Sequence, residues 1–463
     1  MTEPNTDINH DDRAVIDAGY QPQLRRSLGF FSSFAIPFSE ISITTGIFAN
    51  FGFVLGKAGP FGFWTWPVAA LGHLLLALVF AEMAGRIPLT GSCYNWNNKL
   101  ANLTIGWFAG WLGIVAYSIG VAAVSTTMIP ILSAILGYQI DARIGCYLAA
   151  ALVVLQMLIN LASVRLTSRV NAVAVMAEII GVVGLSILVT AAIWLGKGHF
   201  HPDLLTTIPA EPRPYWPGFL MCSLLGAWTM VGFETAADVS EETINARMVT
   251  PKGMIYAVLA SAIIGFAFIV TMTLAIPDLA EVAKADYPLA AISSYYLGEG
   301  TTKIFLGFAL VAMFACSMVV MTAGSRILFA VARDKRFILP AVFNKVSSHH
   351  VPQNAVLLVT GIAIIFTFMA DNATSLYGAG TVCYALVYLM TAVGFAVKAP
   401  KFPATDTFSL GRWHWPVVVL TITWFIVEIG ILTIPEEFHS VAIATGGILA
   451  VGTVLYFFIG RTR

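Results

Sequence analysis

The sequence predicts an all-α integral membrane protein of twelve transmembrane helices, two of them interrupted at bilayer depth. Three observations carry this. Of 463 residues, 58% are hydrophobic and 11% charged, whereas a soluble globular domain carries about a quarter charged residues. Apolar runs of about 20 residues, the length that spans hydrocarbon, recur twelve times. Two of these runs, the first and the sixth, hold carboxylates, hydroxyls and glycines in their middles.

The formal net charge is zero, 25 basic residues against 25 acidic, so no nucleic-acid partner is expected. Cys93, Cys146, Cys222, Cys316 and Cys383 are scattered without C-x-x-C spacing and read as small buried hydrophobes, with no disulfide or metal role. Residues 1–27 are polar and contain no cleavable apolar segment. They are expected to form a cytoplasmic tail, disordered to about Gln23.

The spans are placed at about 29–55, 62–86, 104–136, 142–162, 169–195, 217–241, 252–276, 302–332, 354–370, 374–397, 414–434 and 439–460, with Asp371 and Asn372 marking the ninth junction. With the N-terminus inside, only Lys57, Arg143, Lys197, Arg213, Lys284 and Lys303 of the 25 basic residues face outward. The positive-inside rule selects this orientation, with both termini cytoplasmic. Gly196–Trp216, with Pro202, Pro209, Pro212 and Pro214, reads as an extended outer loop, and Pro277–Gly300 as a segment along the membrane surface. His199 and His201 lack further ligands and make no metal site.

The first span contains Ile36–Phe51, IPFSEISITTGIFANF. Pro37 removes a backbone donor, and Ser39, Glu40, Ser42, Thr44, Thr45 and Gly46 follow at a depth where a carboxylate costs about 2.5–3.5 kcal/mol. Irregular backbone survives there only beside a protein-lined cavity, so something polar is expected to bind. The sixth span repeats the pattern in Cys222–Glu242, CSLLGAWTMVGFETAADVSEE, with Gly226, Thr229, Gly232, Glu234, Thr235 and Asp238. Five spans apart, the two cross the membrane in opposite directions, which points to an inverted-repeat transporter. The half-helix beginning near Gly46 presents N–H groups to an anionic or electron-rich group. The half-helix before it ends in carbonyls suited to an ammonium, reinforced by Glu40.

Four motifs then stand in order: Ser39–Gly46; Glu82–Trp96, EMAGRIPLTGSCYNW; Gly232–Pro251, GFETAADVSEETINARMVTP; and Ser325–Pro340, SRILFAVARDKRFILP, followed by Val351–Ala355, VPQNA. Through them, from about Leu28 to Arg461, the chain resembles the amino acid–polyamine–organocation permeases. Within them it resembles the branch carrying 4-aminobutyrate, choline, ethanolamine and basic amino acids. The resemblance implies a leucine-transporter-like 5+5 inverted repeat over residues 28–400, with helices 1 and 6 broken, and two further helices over 401–463. It places substrate between the two breaks, with helices 3, 8 and 10 closing the pocket. Two departures, Ile43-Thr44 in place of a Gly-Ser-Gly-type turn and Glu40 in place of an aliphatic residue, favour amines over plain α-amino acids.

The expected substrate-binding set is Glu40, Ser42, Ile43, Thr44, Thr45, Gly46, Tyr117, Trp228, Thr229, Gly232, Phe233 and Glu234, with Tyr377 and Tyr384 as further aromatic walls able to hold an ammonium by cation–π attraction. Glu40, Glu178 and Glu234 are the candidate proton carriers. Glu178 enters because the fifth span flanks the position where sodium-coupled relatives of the fold hold their ion. His73 reads as a packed histidine or a proton relay, and Glu241 and Glu242, near Arg247 and Lys252, as a cytoplasmic gate or brace. The directions in which Ser317, Thr322 and Ser325 of the eighth span face stay open.

The expected function is a permease, not an enzyme. It imports an amino acid or small organic amine across the cytoplasmic membrane, proton-coupled or exchanging, by alternating access. It acts as a monomer or homodimer, without cofactor or metal, its partners being the substrate, a coupling proton and the lipid bilayer. The eighth span lacks an adjacent Ser/Thr pair at mid-depth, which disfavours a sodium-coupled symporter. No H-x-x-x-H, C-x-x-C or G-x-S-x-G pattern supports an enzyme, and no pore-loop repeat supports a channel. A transport-inactive sensor on the same fold is the remaining alternative.

Overall fold

A segment in lipid must satisfy its backbone internally, and these apolar runs do so as helices. The structure, a computed structural model, describes residues 10–209, 214–369, 373–403 and 405–460. Among them there is no strand, only an isolated bridge between Leu28 and Thr243. The helices, in order, are α1 His10–Asp17, α2 Phe30–Ile41, α3 Ile43–Ala58, α4 Thr65–Arg86, α5 Ser92–Leu100, α6 Leu103–Leu136, α7 Ala142–Ala162, α8 Val164–Ala192, α9 Tyr215–Met221, α10 Leu224–Thr229, α11 Thr235–Asp238, α12 Ala246–Leu274, α13 Leu279–Lys284, α14 Pro288–Arg333, α15 Pro340–Phe343, α16 Gln353–Met369, α17 Ala373–Lys398, α18 His414–Ile431 and α19 His439–Leu455.

Among the described residues, ten helical stretches are long and apolar enough to cross a membrane. The expected ninth span is the shorter α16, and the marker residues Asp371 and Asn372 lie outside the described residues. The expected sixth span is divided into α9, α10 and α11. α14 absorbs the second half of the surface segment: its helical path bends at Gly298, where φ is 76°. α6 and α14 are buried along most of their length. The outer faces of α8, α12 and α19 leave Val173, Ile263 and Ile443 exposed, as lipid contact requires.

The first interruption is a single residue. Pro37 deprives α2 of one donor, and at Ser42 the backbone turns left-handed (φ 33°, ψ 88°) before α3 begins. A non-glycine residue held there costs on the order of 1–3 kcal/mol and persists only where the surroundings enforce it. The second interruption runs from Met230 to Glu234 and turns at Gly232, φ 84°. A side chain at Gly232 would collide with the Glu40 carboxylate, and one at Gly46 with Thr229. The two breaks therefore lie against each other.

The N-terminal segment departs from the disordered tail that its composition predicts. α1 buries Val15, and Arg26 binds Asp12 at 2.7 Å and the carbonyls of Ser240 and Thr243. The N–H groups of Ser27 and Leu28 donate to the Glu242 carbonyl. Tyr20 donates to Asp334 at 2.8 Å beneath the Arg333 guanidinium, and burial, then Asp334, push its phenol pKa upward. Residues 10–28 thus form a strap across the end of the bundle that carries most of the arginines, called here the basic end. Polar composition reports solvation, not whether a segment finds partners. Residues 1–9 of the expected tail lie outside the described residues.

Candidate functional site

Where the breaks meet, α2, α3, α6, α10, α14 and α17 enclose a small chamber lined by Glu40, Thr45, Gly46, Gly120, Trp228, Cys316 and Tyr384, among others. Its volume is about 20 Å³, room for roughly one water molecule. Above it, away from the basic end, a vestibule of about 630 Å³ opens between α3, α6 and the start of α14. Tyr377 lines the vestibule floor, bonds Thr127 at 2.5 Å and packs tilted against Trp228 with ring centroids 5.0 Å apart. Trp228 and Tyr377 form the partition between vestibule and chamber.

Glu40 is 7% exposed and accepts hydrogen bonds from Thr235 and, at 3.4 Å, from Tyr384. Two further carboxylates lie toward the basic end. Glu234 accepts from Tyr388 at 2.7 Å and Tyr117 at 3.2 Å, and Tyr117 also donates to Asp238 at 2.8 Å. Among the described residues, the second oxygen of Asp238 has no hydrogen-bond partner. Tyr388 receives the N–H of Gly232 at 2.8 Å. Among the described residues, no Lys, Arg or His pairs with Glu40, Glu234 or Asp238. Three buried carboxyls answered only by hydroxyl donors can each bind either a proton or a cation.

The first amides of α3 meet a carboxylate already present. Glu178, reaching in from α8, accepts from the Thr44 N–H and the Ser42 hydroxyl, each at 3.0 Å, while Ser42 Oγ accepts from the Thr45 N–H at 3.2 Å. The expectation that this helix start is open to a substrate anion is corrected: a carboxyl of the protein already caps it. Glu178→Ala would strand the buried Thr44 N–H, at about 1–3 kcal/mol, and leave the Ser42 hydroxyl to turn to Thr45. A clear fall in melting temperature is expected, largely restored in Glu178→Gln, and an unchanged melting temperature would contradict this cap.

Of the expected binding residues, Glu40, Thr45, Gly46 and Trp228 reach the chamber. Thr229 packs on Gly46, Gly232 on Glu40, and Tyr117 stands edge-on to Tyr384 at 5.2 Å. Four residues face elsewhere. Ser42 and Thr44 turn to Glu178, Ile43 packs toward Trp66 beside Gly265, and Phe233 packs on Phe80 and Tyr388. Glu234 lies behind Tyr117 and Tyr388, not on the chamber wall. Ser317 bonds Gln156 and Thr322 bonds Asn160, while Ser325 donates to the Thr322 carbonyl. Sequence reasoning missed Gly120, Cys316 and Tyr388. Tyr388 was findable, since 377, 384 and 388 recur at helical spacing on one face.

The basic end is shut by buried ion pairs. Arg326 binds Glu242 at 2.9 Å, and Arg333 binds Glu241 at 3.0 Å. Glu241 and Glu242 therefore brace against α14, not against Arg247, which pairs with Asp406. An open vestibule thus lies at one end, buried ion pairs at the other and a small polar chamber between. The Amino acid permease family pattern matches residues 28–459. The chain belongs to the amino acid permease family.

This permease is a multi-pass membrane transporter, not an enzyme. It is 25% identical to the amino-acid permease BAT1 of Arabidopsis thaliana over 96% of this chain and 94% of that one. It is 26% identical to the branched-chain amino acid permease BcaP of Lactococcus lactis over 73% and 75%. The thiamine transporter thi9 of Schizosaccharomyces pombe is 23% identical over 99% and 87%. Relatives spanning nearly the whole permease thus carry different solutes by name.

Proposed function

We propose that the permease is a secondary active transporter that carries an amino acid or small organic amine across the cytoplasmic membrane by alternating access, coupled to protons or to exchange. Twelve membrane helices, ten of them in a 5+5 inverted repeat, turn about the breaks at Ser42 and Gly232, with both termini and the basic end in the cytoplasm. The observation that carries this reading is Glu40, a buried carboxylate in the chamber between the breaks, without a cationic partner among the described residues. A substrate ammonium would bind Glu40, with the rings of Tyr384 and Trp228 around it. The chamber's small volume fits an occluded state that widens when Trp228 and Tyr377 part.

Sodium symport has less support, because the Thr322 and Ser325 hydroxyls of α14 are turned to Asn160 and the Thr322 carbonyl. The amino acid relatives support an amino acid substrate, and the Glu178 cap supports one whose ammonium matters more than its carboxylate. The test is a thermal-shift panel over choline, ethanolamine, 4-aminobutyrate, polyamines and the common amino acids, followed by proteoliposome uptake of each stabilising compound. Stabilisation is expected to follow the ammonium and to survive loss of the carboxylate. Stabilisation by carboxylated compounds alone would reverse the preference, and binding without uptake would make the protein a sensor.

A further inference from the structure

Away from the chamber, α4 and α18 enclose a second polar cluster. His73 and Glu428 are each 0% exposed. Four polar atoms here have no hydrogen-bond partner among the described residues: His73 Nε2, Trp424 Nε1 and both carboxyl oxygens of Glu428. Buried polar atoms are normally satisfied, and each exception calls for a reason.

Donor accounting supplies one. His73 Nδ1 lies 3.0 Å from the Ala69 carbonyl, which can only accept, so Nδ1 carries hydrogen. Nε2 faces a Glu428 oxygen at 4.0 Å. Two arrangements are compatible with that contact: a neutral imidazole beside a carboxylic acid, or an imidazolium beside a carboxylate. Each holds one exchangeable proton between the two residues. Without it, a bare carboxylate would face a nitrogen lone pair in a dry interior, and only the Trp424 N–H could donate to it.

We propose that His73 and Glu428 form a proton-binding site, distinct from the carboxylates of the substrate chamber, whose occupancy sets how α18 seats on α4. With the proton present, Glu428 turns to His73. When it leaves, Glu428 turns to Trp424, whose ring lies directly on Gly72 of α4. The movement has a route to the chamber: Phe425 packs edge-on against both His73 (5.3 Å) and Tyr388 (5.5 Å), and Tyr388 holds Glu234 and the Gly232 N–H.

Among the described residues, the surrounding elements bring no competing charge. On α17 the nearest titratable group is the Tyr388 phenol, beyond Phe425. On α4 it is Glu82, bound to Arg86 and the Leu410 N–H. On α18 it is His414, at the helix's other end beside Phe395. α10 has no titratable side chain, and α12 has only Arg247, Lys252 and Tyr256, in its first half.

The role in transport rests on the proton-coupled form of the proposed function, whereas the proton site itself does not. The full-length protein in nanodiscs, without substrate, is titrated by infrared difference spectroscopy between about pH 5 and 8. One titrating component, a carboxylic acid or imidazole ring mode, is expected to vanish in Glu428→Gln and to vanish or move in His73→Gln. Wild-type spectra superimposable on both variants would overturn the site. Proteoliposome uptake is then measured with equal pH on both sides. Glu428→Gln is expected to flatten the pH profile while keeping the substrate-induced thermal shift. A variant profile matching a pH-dependent wild type would overturn the link to transport. A wild-type profile already flat would instead remove proton coupling from the proposed function, and with it that link, leaving the infrared result to decide the site.

Discussion

Glu40→Gln is expected to abolish substrate uptake in proteoliposomes while leaving the protein folded and inserted. The amide keeps the side chain's shape: its oxygen still accepts from one of Thr235 and Tyr384, and its NH2 group donates to the other's hydroxyl oxygen, so packing at the two breaks survives. The capacity to ionise is lost. A hydrogen bond to a charged partner contributes about 1.5–3 kcal/mol, or roughly 10- to 150-fold in affinity, and more of the rate is lost if the same carboxyl carries the coupled proton. Binding of the best stabilising amine should weaken at least tenfold by thermal shift or calorimetry. Unchanged uptake across the pH range would remove Glu40 from the mechanism and move the search to Glu234 and Asp238, which lie toward the basic end with equally little cationic compensation.

What the sequence made legible follows from the physics of lipid. Charge-poor runs of fixed length have one backbone solution, so the helical class and most spans could be read directly. Carboxylates and hydroxyls in the first and sixth runs stood out because bilayer depth makes them costly. Harder to read was anything decided by which groups meet. Ser42 and Thr44 looked like ligands for a substrate, yet Glu178, more than 130 positions away, reaches them first. Arg247 is near Glu242 in sequence, but Arg326 of α14 is its partner in space. Residues 10–28 looked solvated because their polarity is real, while their partners, Ser240, Thr243 and Asp334, are scattered along the chain. Periodicity carries the faces of helices; it carries little about closure between segments far apart.

Arg326→Ala is expected to produce the largest loss of stability of any single change considered. Arg326 is 2% exposed and Glu242 is 0% exposed. The guanidinium meets the carboxylate through Nε at 2.9 Å and Nη2 at 3.4 Å, with Nη1 on Ser325. Removing one member of a buried pair leaves the other charge unanswered, at about 3–5 kcal/mol, a large part of the roughly 5–15 kcal/mol that holds a typical domain folded. The damage should extend to the strap, because the Glu242 backbone carbonyl anchors Ser27 and Leu28. A cysteine introduced at Ser325 should then label more readily from the basic end. Replacing both partners, Arg326→Met with Glu242→Met, removes the orphaned charge and is expected to recover most of the melting temperature. Uptake should not recover with it, since a cycle needs this closure to break and re-form, and apolar packing offers no water-assisted way to part. Recovery of both stability and uptake in the double variant would make the pair a structural brace, and full stability in Arg326→Ala would contradict the closed basic end itself.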